Sequence, residues 1–167
     1  MPDSPVPSPA PNPASGGQGS PRTLFEEKLW PSWWLWLVAV GLSCAGILVF
    51  APISIAAGIT AAIVLFVIIT TLLVLSTPRI SVTADRLQVG RASIERQFVG
   101  EVQAFRKAEA TAERGPRLNA LAYLCIRGWV DPVVKIEITD PNDRTPYWLT
   151  SSRKPEELRT ALAKPGA

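Results

Sequence analysis

The sequence predicts two transmembrane helices in a hairpin followed by a small, mainly β domain. Three observations carry this. No charged residue lies between Lys28 and Arg79, and that window is mostly Leu, Ile, Val, Ala, Phe and Trp. A proline breaks the window near its middle, at Ala51-Pro52. From Arg79 onward the chain is charge-rich, and short runs of alternating apolar and polar residues replace the apolar block.

Residues 1–23 hold seven prolines among Ser, Gly and Asn. Such a stretch has little to bury and predicts a disordered tail. The alternation of Pro5, Pro7, Pro9, Pro11 and Pro13 also fits a polyproline ligand. A signal peptide does not fit, because the apolar segment starts too late and runs too long. Residues 24–32 read as an interfacial lead-in, amphipathic over Leu24 to Lys28. Trp30, Trp33, Trp34 and Trp36 are four of the six tryptophans, as expected of a belt at the headgroup boundary. Pro31 suits the first turn of a helix, where its missing N–H costs nothing.

Residues 33–50 predict the first membrane helix, about 27 Å long, and residues 53–75 the second, about 34 Å. Each matches a hydrocarbon core of about 30 Å, the second with some tilt. Pro52 removes an intrahelical hydrogen bond and closes the hairpin tightly. Gly41, Ala45 and Gly46 are expected to face Ala57, Gly58, Ala61 and Ala62, where small residues let backbones approach. No ionisable group sits at membrane depth, which predicts an anchor rather than a conduit. Arg22 and Lys28 precede the first helix, Arg79, Arg86 and Arg91 follow the second, and the connecting turn is uncharged. The positive-inside rule then predicts a two-pass protein of the plasma (inner) membrane with both termini cytoplasmic.

Residues 79–163 predict the cytoplasmic β domain. Arg79 to Thr83 alternates with period two, and Leu87 to Arg91 reads as its return strand. Further strands are expected at Ser93–Gln97, Val99–Phe105, Ala122–Arg127, Val133–Thr139 and Pro146–Thr150. The stretch from Lys107 to Asn119 reads as a short helix or a long loop. Val134, Ile136 and Ile138 share one face, and Asp140-Pro141-Asn142-Asp143 forms a turn. Ser151 or Ser152 caps a last helix with Pro155 in its first turn, docked through Leu158 and Leu162. Six or seven antiparallel strands closed by a C-terminal helix resemble a pleckstrin-homology-like barrel.

Composition narrows the function classes. The net charge is +3; from Arg79 onward 15 Lys or Arg stand against 11 Asp or Glu. That mild excess suits a bilayer surface with anionic lipid and falls short of a nucleic-acid footprint. The chain has no histidine, so imidazole acid–base catalysis and imidazole metal ligation are excluded. Cys44 and Cys125 are isolated and read as small buried hydrophobes. No catalytic constellation, cofactor site or metal site is expected, and the chain reads as a non-enzyme.

Candidate contacts come from the domain. Arg127-Gly128-Trp129 reads two ways. Arg127 is a fork for phosphate or carboxylate with Trp129 as a partner-facing anchor, or the run is a turn with Trp129 in the core. Tyr147 and Trp148, adjacent on a strand, are expected to face opposite sides, one in the core and the other toward lipid or a partner. Arg79, Arg86, Arg91 and Arg96 are candidate contacts to anionic lipid. The leading expectation is a membrane-anchored interaction module, an accessory subunit or scaffold binding a protein partner. Anionic-lipid recognition is the alternative, and an enzyme subunit acting on lipid-linked substrate is the third.

Leu29-Trp30-Pro31 with Trp33-Trp34, Phe98-Val99-Gly100, Arg127-Gly128-Trp129-Val130 and Thr145-Pro146-Tyr147-Trp148 together resemble an actinobacterial family of two-helix membrane proteins, domain of unknown function 3093. The resemblance spans roughly residues 24–163 and implies the anchor-plus-domain layout. It implies no activity and no site residues.

Overall fold

The computed structural model describes residues 22–163. The Pro-rich tail expected over residues 1–23 lies outside them but for its last two residues.

The chain enters through strand β1 (Thr23–Lys28), and helices α1 (Trp33–Phe50) and α2 (Ile55–Leu75) follow. Both helices are long and apolar enough to cross a membrane. Each is apolar on every side, so most of its large side chains face outward, among them Leu48, Val49, Ile63 and Leu72. The break spans Ala51–Ser54, so α2 starts two residues later than expected. Helix α1 begins at Trp33 with Ser32 as its N-cap, leaving Pro31 just outside the first turn.

The helices pack through small residues, as expected, though not through all of those named. A side chain on Gly58 would meet the Ile47 carbonyl oxygen at 3.1 Å, and one on Gly46 would meet the Ala62 backbone at 3.8 Å. A side chain on Gly41 would begin in open space, its Cβ meeting nothing within 4 Å, and Ala45 is exposed. The face of α1 toward α2 is instead Ala39, Ser43, Gly46 and Ile47, at steps of three and four residues.

Strands β2 (Arg79–Thr83), β3 (Arg86–Val89) and β4 (Ala92–Glu95) follow. They form a sheet with β1 in the order β1-β2-β3-β4, all antiparallel. Residues 24–28 are therefore not only a lead-in: they form an edge strand of the domain. Lys28 lies opposite Arg79, so the helical hairpin is inserted between two adjacent antiparallel strands. The alternation of the run explains the choice: Phe25 and Glu27 turn inward while Leu24 and Glu26 stay exposed.

The second sheet holds β5 (Val99–Phe105), β6 (Tyr123–Cys125), β7 (Val133–Ile138) and β8 (Tyr147–Ser151), in the order β5-β7-β8-β6. Among the described residues seven strands follow the helices, within the expected six or seven, and β1 adds an eighth. One pair, β6 with β8, is parallel where only antiparallel pairs were expected. The connection that this parallel pair requires runs through β7, and helix α3 (Lys107–Arg114) carries the chain from β5 at one edge of the sheet to β6 at the other. It settles the open reading of residues 107–119 as a short helix followed by a loop.

The two sheets enclose one core of Phe25, Leu29, Ile80, Val82, Leu87, Val89, Val134, Ile136, Ile138 and Trp148. Helix α4 (Pro155–Leu162) closes it with Leu158 and Leu162. A smaller cluster lies on the other face of the second sheet, where Ala110 of α3 meets Val133, Tyr147 and Leu149. That sheet is thus covered on both faces, and this overturns one expectation. Tyr147 and Trp148 do face opposite sides, but both are buried, at 7% and 4% exposure. Neither is an exposed side chain.

The serines expected to cap α4 have other tasks. Ser151 ends β8, and Ser152 accepts the Lys154 backbone N–H at 3.1 Å while its own hydroxyl donates to Glu27. Pro155 takes the first helical position, as expected.

Candidate functional site

The junction between helices and domain collects most of the residues singled out in the sequence. Arg127, Gly128 and Trp129 form a turn closed by the Val130 N–H on the Arg127 carbonyl at 3.0 Å. Arg127 Nε and one terminal nitrogen donate to the Ser76 carbonyl, at 3.0 and 2.7 Å. Ser76 is the C-cap of α2, so a guanidinium sits on the negative end of that helix. The other terminal nitrogen donates to the Ile126 carbonyl at 2.8 Å.

Trp129 fastens the other helix. Its indole Nε1–H donates to the Leu29 carbonyl, and Ser32 Oγ donates to the Trp129 carbonyl, both at 3.3 Å. The ring is half-buried against the core. The turn therefore clasps the exit of α2 with one residue and the entry of α1 with another. Gly128 contributes no special backbone: its φ is not positive and a side chain there would meet nothing within 4 Å.

A second set of contacts holds the α1 side. The buried Glu27 carboxylate accepts Ser152 Oγ at 2.5 Å and the Arg153 backbone N–H at 2.8 Å. Arg153 donates to the Trp30 carbonyl at 2.6 Å, and Lys28 Nζ lies 4.0 Å from the centre of the Trp30 ring. The pairing of Glu27 with Ser152 escaped the sequence reading. The one available signal was an acidic residue at an inward position of an alternating run.

Of the tryptophans expected at a headgroup belt, Trp30, Trp33 and Trp34 are exposed, Trp33 at 75%. Trp36 is half-buried.

Beside the Arg127 clasp lies an open groove of about 550 Å³. Its lining joins the end of α2 (Leu75 to Pro78) to Arg79, Arg91, Tyr123, Leu124, Cys125 and Arg127. Three arginines line it and no acidic residue does. Among the described residues, neither Arg79 nor Arg91 has an acidic oxygen within 4.0 Å. Lys28, paired in register with Arg79, adds a cation directly across the strands. Like charges so placed repel in the absence of an anion.

The floor of the groove is tight. Gly90 has φ +62°, and a side chain there would meet Cys125 Sγ at 3.3 Å. Burial pushes the Cys125 thiol pKa up, against smaller lowering effects from Arg127 and a hydrogen bond with Thr150. The Tyr123 hydroxyl donates to the Val89 carbonyl at 3.1 Å and fixes the ring beside the groove.

The four arginines expected to act together divide into two pairs. Arg79 and Arg91 flank the groove at the helix end of the first sheet. Arg86 lies across from Glu95 at the opposite end of β3, roughly 13 Å away along the strand. Arg96 is there too, with a terminal nitrogen on the Ala161 carbonyl at 2.8 Å, near the end of α4. Asp85 and Glu95 surround that end, so it presents mixed charge. The antiparallel register separates residues that looked equivalent when counted along the chain.

Comparison with curated proteins finds no match, and comparison with solved structures finds none either. A family model matches over residues 24–162, from the first strand through the last helix. The chain therefore belongs to the family described as Protein of unknown function (DUF3093).

Proposed function

We propose that this is a two-pass protein of the plasma (inner) membrane that holds a pleckstrin-homology-like domain against the cytoplasmic face, both termini cytoplasmic, and recognises net-anionic lipid headgroups in the groove at the end of α2. One observation carries the reading: three arginines and no acidic residue line a groove whose wall is the last turn of an apolar helix. If α2 spans the bilayer, Leu75 ends the hydrocarbon segment and Arg79 sits at phosphate depth. Each basic residue near an anionic surface contributes about 1 kcal/mol. The apolar flanks Leu75 and Leu124 leave room for the acyl side of a lipid, and the positive-inside rule favours this orientation. Two sheets around one core with a C-terminal helix support the pleckstrin-homology-like assignment.

Outside the four membrane-proximal arginines, the candidate contacts to a partner or lipid were Arg127, Trp129, Tyr147 and Trp148. The first two are engaged in the clasp and the last two are buried. The lipid reading therefore has the better support. The clasp suits it, because a domain fastened to both helices keeps its groove at one depth and angle.

The test is native mass spectrometry of the intact protein released from nanodiscs of phosphatidylglycerol mixed with phosphatidylcholine. The protein should retain phosphatidylglycerol selectively, and the double variant Arg79→Gln/Arg91→Gln should lose that selectivity while staying folded. Equal retention of both lipids by the unaltered protein would sink the proposal.

A further inference from the structure

We infer that Arg127 is an anion-operated latch: a phosphate group entering the groove draws its guanidinium off the Ser76 carbonyl and leaves the end of α2 without its side-chain tie to the domain. The inference rests on the lipid reading above and concerns the regulation of the same site.

The geometry supplies the competition. Nε and a terminal nitrogen of Arg127 converge on one neutral oxygen, at 3.0 and 2.7 Å. That edge of the guanidinium is the one that forks two oxygens of a phosphate. A phosphate offers each N–H its own ionised acceptor, and bidentate Arg–phosphate pairs are among the strongest charge-assisted hydrogen bonds. Arg127 lines the groove, so it has a short path to a ligand there. Among the described residues it has no acidic partner within 4.0 Å to hold it back. Its remaining bond, to the Ile126 carbonyl, keeps the guanidinium beside the groove while the other two exchange.

The consequence is one-sided. The α1 side keeps its own fastenings, Trp129 to Leu29, Ser32 to Trp129, and Arg153 to Trp30. On the α2 side the Arg127 fork is the side-chain tie to the helix end, and the covalent link through Thr77 and Pro78 has no spare length. An occupied groove therefore leaves the domain fastened by side chains to α1 and joined to α2 through the Thr77-Pro78 link. A lipid signal becomes a change in how the domain is carried.

Hydrogen exchange at Ser76 and Thr77 reads the state of the latch, since the last turn of α2 frays when its carbonyl loses the guanidinium. The intact protein is compared in nanodiscs of phosphatidylcholine alone, with phosphatidylglycerol added, and with free glycerol phosphate added to the buffer. Phosphatidylglycerol should raise exchange there by about fivefold, equivalent to about 1 kcal/mol of lost fastening. Arg127→Gln should show the raised exchange in every lipid and respond to none. Arg127→Lys, a charge without a fork, should fall between. An equal response to free glycerol phosphate keeps the latch and makes its trigger a soluble anion. Retention of phosphatidylglycerol with unchanged exchange overturns the latch and leaves the lipid reading standing. Failure to retain phosphatidylglycerol overturns both.

Discussion

A fragment beginning at Arg79 should fail to fold, although it contains every strand that follows the helices. The segment ahead of the hairpin contributes two fully or nearly buried apolar side chains, Phe25 in β1 and Leu29 just after it. Burial of each stabilises by about 1.5–3 kcal/mol, so their loss costs about 3–6 kcal/mol. Glu27 adds two charge-assisted hydrogen bonds inside the core boundary, with a net worth of about 1.5–3 kcal/mol each. A domain of this size has only about 5–15 kcal/mol in total. The sum consumes most of it and also strips β2 of its edge partner. The register suggests the remedy. Lys28 lies opposite Arg79 and the Leu29 N–H donates to the Pro78 carbonyl at 3.1 Å, so an Asn-Gly turn joining Leu29 to Pro78 replaces the helices. Thermal and denaturant unfolding followed by circular dichroism should show a cooperative transition for the joined protein and none for the fragment. A fragment from Arg79 that unfolds cooperatively at the same midpoint as the joined protein would refute the claim that β1 belongs to the domain.

Further expectations follow from single contacts. Gly58→Val should push α1 and α2 apart, because even its Cβ meets the Ile47 carbonyl at 3.1 Å, whereas Gly41→Val should be silent; thermal stability of the intact protein in detergent distinguishes them. Gly90→Ala should destabilise the domain by about 1 kcal/mol, since φ +62° penalises a side chain, with the crowding against Cys125 Sγ adding to that cost. Asp131 accepts the Lys107 N–H and pairs with Arg114, and the first of these is the largest cause holding its pKa below the ordinary carboxylate value. Its contribution is complete above the unfolded pKa of about 4 and disappears as pH falls through the lower folded value; Asp131→Asn should flatten the stability–pH curve in that acid window and nowhere else. Burial raises the Cys125 thiol pKa, so alkylation at neutral pH should be slow until the protein unfolds, as mass spectrometry of labelled peptides will report.

The helices were legible because charge-free length and a proline break are local signals, and α1 matches its expected bounds of Trp33 and Phe50. The strands from Arg79 to Thr83 and from Val99 to Phe105 match for the same reason, through period-two alternation. What escaped is what depends on partners distant in sequence. Leu24 to Lys28 reads as an amphipathic lead-in until β2 returns beside it, some 50 residues later. Tyr147 and Trp148 follow the alternation rule, yet α3 covers the face that one sheet alone would leave open. Val133 beside Val134, both fully buried, carried a hint of that second layer. Arg79, Arg86, Arg91 and Arg96 looked like one basic cluster, but the β2–β3–β4 register sends two of them to each end. Arg127 and Trp129 were rightly singled out as unusual; their partners, Ser76 and Leu29, lie 51 and 100 residues away.

The central claim is that the hairpin holds the groove at headgroup depth with the far end of the first sheet in water. Depth-dependent quenching of a label on Arg91→Cys and on Arg86→Cys, in a Cys44→Ala/Cys125→Ala background of the intact protein in bilayers, tests it directly. The account predicts Arg91 at the phosphate level, Arg86 well outside it, and both reachable only from the cytoplasmic side. Equal depths for the two positions, or a deeper Arg86, would contradict it.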